Sequence, residues 1–110
     1  MKKIVKYNKL IRDRIPQIIK EADWVPTVRI LRKSEFLGAV KKKVLEEAGE
    51  LIKSKDKKGI TNEIVDIQEL IDVLASEIGL TKSQIKKQQK LKNRKRGGFK
   101  KRLFLIETEK

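Results

Sequence analysis

The chain has 110 residues, enough for one domain with a modest core of its own. It contains no cysteine and no histidine, which excludes disulfides, thiolate or imidazole zinc sites, and serine–histidine or cysteine–histidine catalysis. Its formal charge of +14 is uneven: residues 82–110 hold 12 Lys+Arg and 2 Asp+Glu, whereas residues 1–81 hold 17 and 13. The chemistry left open rests on carboxylates, lysines, arginines, hydroxyls and a bound metal ion. A basic block of this kind seeks anions, either nucleic acid or a phosphorylated small molecule. Met1-Lys2-Lys3-Ile4-Val5-Lys6 has no apolar h-region, and no apolar run approaches the ~20 residues of a membrane span. Neither a signal peptide nor a membrane segment is expected, and the cytoplasm is the expected location.

In chain order, residues 1–9 read as a short extended segment, with Ile4, Val5 and Tyr7 among lysines. Pro16 suits a first helical turn, so a helix is expected to about Ala22, capped by Asp13 or a neighbour. It would bury Ile15, Ile18, Ile19 and Ala22, and Asp23-Trp24-Val25-Pro26 would break it. Thr27–Leu31 predicts a short strand or extended arm. Ser34 is the expected cap of a second helix, whose apolar positions Leu37, Val40, Val44, Ala48, Leu51 and Ile52 recur at steps of three and four. Lys53–Gly59 reads as a polar turn, with Gly59 at the chain reversal. Thr61 or Asn62 would cap a third helix running to about Ile78, striped with Ile64, Ile67, Leu70, Ile71, Leu74 and Ile78. Gly79 is a C′ glycine, and Thr81-Lys82-Ser83-Gln84 is a capping box for a fourth helix on which Ile85 and Leu91 face the core. The Gly97-Gly98 pair ends it. Leu103–Ile106 predicts a short buried strand able to pair with the N-terminal segment. The whole, residues 1–110, reads as a single domain that is all-α for most of its length: a helical bundle with short extended N- and C-terminal segments.

Five acids stand out. Glu46, Glu47 and Glu50 lie within five residues, and Glu63 and Asp66 follow at i, i+3 after twelve intervening residues, a gap suited to two antiparallel helices. Alone, Glu-Glu-x-x-Glu is what a solvated helix face looks like. The second pair differs. On a wheel of about 100° per residue, Glu63 falls inside the apolar stripe of its helix and Asp66 between Leu70 and Val73, while Glu69 and Asp72 point to solvent. Glu47 and Glu50 border the stripe of the preceding helix, and Glu46 points further away. A charge on a buried stripe is costly unless paired or ligated. Carboxylates from two helices suit Mg²⁺, a hard cation that takes oxygen ligands, with Mn²⁺ as its substitute. The basic tail suits a triphosphate beside the Gly-Gly turn, or nucleic acid, although aromatic residues for base stacking are few.

Glu46-Glu47-x-x-Glu50, twelve residues, and Glu63-x-x-Asp66 resemble the metal signature of the MazG-like all-α nucleoside triphosphate pyrophosphohydrolases. Tyr7–Pro16 and Arg96-Gly97-Gly98-Phe99 resemble the ends of its phosphoribosyl-ATP pyrophosphohydrolase-like subgroup, so the likeness covers nearly the whole chain. The resemblance implies Mg²⁺-dependent cleavage between the α and β phosphates of a nucleoside triphosphate or related nucleotide, phosphoribosyl-ATP among them, giving a monophosphate and pyrophosphate. It implies Glu47, Glu50, Glu63 and Asp66 as metal ligands and Glu46 as an accessory ligand or a base orienting water, beside Glu47 in the catalytic set. Lys9, Arg12, Arg94 and Arg96 match subgroup motif positions, to which phosphate binding is given. It also implies a bundle completed by homo-oligomerisation, as dimer or tetramer, which fits the thin fourth helix. The alternative is a non-enzymatic nucleic-acid-binding protein using the basic C-terminal segment.

Overall fold

The computed structural model describes residues 2–110 and is all-helical, with α1 (Ile15–Glu21), α2 (Lys33–Lys53), α3 (Lys57–Glu77) and α4 (Lys82–Arg96). No strand occurs among the described residues. Thr27–Leu31 is therefore an unpaired non-helical arm rather than a strand, the expected strand at Leu103–Ile106 is absent, and Ile30 (97% exposed) and Phe104 (89%) stand open to solvent. A strand forms only against a partner edge, and no described segment supplies one. No described helix is long and apolar enough to cross a membrane. The chain groups into two compact units, Met1–Ile78 and Gly79–Lys110.

In the first unit, α1 begins at Ile15 with Pro16 in its first turn. Its N-cap is Arg14, with no side-chain bond, so Asp13 does not cap it. Asp23 ends the helix by adopting φ +64°, the left-handed conformation that Asp tolerates better than most residues. The Trp24 amide then donates to the Ile19 carbonyl and the Asp23 amide to that of Lys20, a Schellman closure without glycine. Helix α2 starts one residue before the expected Ser34 cap. Its N-cap is Arg32, whose amide donates to Glu35 at 3.3 Å, and Arg29 forks onto the same carboxylate at 2.7 and 3.2 Å. That pairing, with the amide bond from Arg32, holds the Glu35 carboxyl below its usual range.

The turn between α2 and α3 is shorter than the sequence suggests. Asp56, not Thr61 or Asn62, caps α3 by accepting from the Gly59 amide at 2.8 Å. Gly59 lies inside α3 and so makes no chain reversal, and a Cβ there would stand 3.0 Å from that Asp56 oxygen. Helices α2 and α3 therefore pack as an antiparallel hairpin through Ser54–Asp56. Val40 is fully buried in this unit and Ala75 nearly so, and Leu37, Val44, Leu51, Ile67, Leu70 and Leu74 are half-buried. The outer edges of both stripes stay open: Ile52 is 85% exposed, and Ile64, Ile71 and Ile78 are exposed as well. Ile18 and Ala22 of the first helix region are exposed too. A two-helix seam covers only a narrow arc of each helix, so wider stripes keep an unburied flank.

In the second unit the capping box forms as the sequence predicts. The Gln84 amide donates to Thr81 Oγ1 at 3.1 Å and the Thr81 amide to Gln84 Oε1 at 2.9 Å. Gly97, at φ +79°, ends α4. Ile85 is half-buried, while Leu91 and the residues of the expected buried strand are exposed.

Candidate metal centre

The short turn sets the register of the acids. Glu47 precedes Lys55 by eight residues and Glu63 follows it by eight, so the two stand level across the hairpin, about 12 Å along the helices from the turn at 1.5 Å per residue. Asp66 is one helical turn further along α3. One carboxylate oxygen from each of Glu47, Glu63 and Asp66 lies within 4.8 Å of the others, and all three residues are half-buried. Glu50, one turn nearer the loop, is exposed and stands outside this trio. Asp72 is outside it too, as expected, although it is half-buried rather than free in solvent, accepting from Gln68 at 2.9 Å.

Three carboxylates this close repel one another. At Glu47, a proton shared with Glu63, then burial, then the negative charges of Glu63 and Asp66 push the carboxyl up to about 7. Glu63 Oε2 is buried and has no hydrogen-bond partner among the described residues. A buried acceptor without a donor is destabilising, and a cation at the trio would satisfy it. The donor set is all oxygen, the ligand type that hard divalent cations take.

Cationic side chains of the protein border the trio. Arg12 Nη2 donates to Asp66 Oδ1 at 2.6 Å. Lys9 Nζ lies 3.4 Å from Glu46 Oε1. Lys43, one turn before the acidic motif on α2, lies 3.1 Å from Glu46 and 3.8 Å from Glu47. Its side chain is only 18% exposed. Sequence reasoning passed over Lys43, but its spacing of three and four residues before Glu46 and Glu47 is a readable signal for helical ion pairs. Bonding to Lys43 first, then to Lys9, holds the Glu46 carboxyl below its usual range. Glu46 thus spends its oxygens on lysines and stands apart from the trio.

Of the residues expected to act together, the hairpin gathers Glu47, Glu63 and Asp66, with Lys9 and Arg12 alongside. Arg94 and Arg96 lie in the last turn of α4, in the second unit, and are exposed. Set against known families, curated proteins and solved structures, the chain matches none.

Proposed function

We propose that the chain is a Mg²⁺-dependent nucleotide pyrophosphohydrolase, acting between the α and β phosphates of a nucleoside triphosphate or related nucleotide. The observation that supports it best is the trio Glu47, Glu63 and Asp66 with the unpartnered Glu63 oxygen. The resemblance of both acidic motifs to the MazG-like signature supplies the reaction. In this reading Glu47, Glu63 and Asp66 hold the ion, with Glu50 an outer ligand when a second ion is taken. Bound Mg²⁺ supplies charge neutralisation at the phosphate oxygens and acidifies water for attack on phosphorus. Lys43 keeps Glu46 and Glu47 in place on α2, and Lys9 and Arg12 stand where a polyphosphate would meet positive charge. The apolar flanks left open on α2 and α3 support a homo-oligomer that covers them.

Pyrophosphate release from a panel of canonical and modified nucleoside triphosphates, with phosphoribosyl-ATP included, tests the reaction. Release that needs Mg²⁺ and falls at least about 100-fold in Glu63→Gln supports it; loss of a direct ligand exceeds the 10- to 100-fold typical of an outer partner. Release from no substrate by a folded, Mg²⁺-binding protein overturns the enzymatic reading.

A second reading has its own observation. Residues 82–102 contain eleven basic and no acidic residues, and none of these forms an ion pair among the described residues. That supports nucleic-acid binding through phosphates. Its affinity for duplex DNA or RNA would fall steeply as salt rises. Absence of binding at low salt removes it.

A further inference from the structure

Two ion pairs reach across the first unit from one irregular segment. Lys9 and Arg12 precede α1, and their partners Glu46 and Asp66 lie on α2 and α3, 37 and 54 positions away. Arg12 is the more telling of the two, because its partner belongs to the trio. The Asp66 carboxylate, which accepts from Arg12 through Oδ1 at 2.6 Å, is also a charge that a divalent cation at the trio would draw on. The guanidinium and the ion are both positive, so full occupancy of Asp66 by one weakens its hold on the other. The Arg12 side chain is 57% exposed and leaves from backbone outside any helix, so it has room to swing away. A pair with its arginine end this exposed is weaker than a buried one and opens more readily. Arginine also matches phosphate as well as carboxylate, through the same planar fork of donors.

We propose that Arg12 is an exchangeable counter-ion of Asp66. It holds the carboxylate in the metal-free chain, is displaced when Mg²⁺ takes Asp66, and turns to the polyphosphate that arrives at the ion. This rests on the metal and nucleotide reading above and adds a coupling to it. Mg²⁺ frees the anion-binding group, so metal and nucleotide each tighten the other, by the same factor in both directions. Arg12 acts here as a substrate-binding residue held in reserve by Asp66, and Lys9, whose partner Glu46 stands outside the trio, is its natural comparison.

Titration calorimetry with Mg²⁺ alone separates the possibilities. Arg12→Ala tightens Mg²⁺ binding about fivefold, the worth of a lost exposed pair. Lys9→Ala changes it less than twofold. Arg12→Lys restores the wild-type Mg²⁺ affinity, because a cation again competes for Asp66. With a nucleotide carrying a non-hydrolysable α–β bridge, Mg²⁺ tightens binding to the wild type, and this coupling falls in Arg12→Ala and is not restored by Arg12→Lys. A second readout follows the segment itself. The chain has no cysteine, so a dye on Lys6→Cys is unique, and its anisotropy falls when Mg²⁺ is added. In Arg12→Ala it is low from the start. Mg²⁺ binding by the wild type with unchanged or weaker affinity in Arg12→Ala, or anisotropy indifferent to Mg²⁺, overturns the exchange while leaving the metal centre standing. No Mg²⁺ binding by the wild type overturns the metal reading and the exchange together.

Discussion

The α2–α3 hairpin and α4 are both rich in charge, and they use it in opposite ways. In the hairpin, acids from two helices converge, and lysine and arginine side chains come to meet them. In α4, eight of fifteen residues are Lys or Arg, none is acidic, and Lys82, Lys86, Lys90 and Arg94 succeed one another at four-residue steps. The first arrangement creates a place where one more cation would lower the energy. The second creates a surface where one more anion would. What separates them is geometry: a tight turn sets two helices side by side and level, while the residues of any single helix can only spread like charges along its faces. Convergence, rather than charge density, makes a candidate centre.

The sharpest way to test convergence is to titrate it. Glu47 in the folded chain releases its proton at about 7, against 4.5 for an ordinary glutamate. Between those values the folded state holds a proton that the unfolded state has lost. Metal-free stability from this group is therefore complete below 4.5 and is lost as pH rises through about 7. A cation must displace the same proton, so Mg²⁺ affinity rises with pH up to about 7, by as much as about tenfold per unit, and then levels. Melting temperature against pH, with chelator and with Mg²⁺, checks both statements. With chelator the melting temperature falls across that window, and with Mg²⁺ the fall is reduced. Glu35 and Glu46, whose carboxyls are held low by their cations, act in the opposite sense and below 4.5, outside that window. A chelator curve that rises between 4.5 and 7 shows that the three carboxylates do not converge as described.

The helices of the hairpin and the three acids of its centre were legible because both obey local rules. The 3.6-residue period placed Glu63 on an apolar stripe, and a polar atom of Glu63 is indeed buried. What was not legible depended on a cap and on partners distant in sequence. Asp56 accepts from the Gly59 amide, and this starts α3 four residues before Thr61, setting the register that leaves Glu50 outside the trio. The contact of Arg12 with Asp66 spans 54 positions, beyond any periodicity. Leu103–Ile106 has the composition of a buried strand, yet composition does not provide an edge to pair with.

Two substitutions measure how firmly the hairpin is held. Val40 is its one fully buried side chain, so Val40→Ala leaves a cavity and costs ~2 kcal/mol in chemical denaturation, whereas Leu91→Ala on α4, already 37% exposed, costs well under half as much. Asp56→Ala removes the cap of α3 and costs ~1 kcal/mol. Because that cap fixes the level at which Glu63 faces Glu47, the same change weakens Mg²⁺ binding, which Thr81→Ala, the equivalent loss at the start of α4, does not. Equal effects of the two cap losses on Mg²⁺ affinity argue against the hairpin register as the origin of the centre.

The smallest effect lies in α4. Lys90 has Lys86 and Lys87 before it, at steps of four and three, and Arg94 four residues after it, so it sits in three like-charge pairs. Lys90→Glu converts all three into opposite-charge pairs, and the one with Arg94 has the better orientation, acid ahead of base. The helix should gain a few tenths of a kcal/mol per pair, seen as a slightly higher helical signal by circular dichroism at low salt. At about 1 M salt, where the Debye length is ~3 Å, the gain should disappear. The same change removes charge from the middle of the basic run, so a nucleic-acid affinity that resides there weakens while Mg²⁺ binding at the hairpin stays as it was. A gain in helix with no change in either ligand would mean that the lysines of α4 serve solvation alone, and the contrast between the two regions would narrow to the hairpin's three acids.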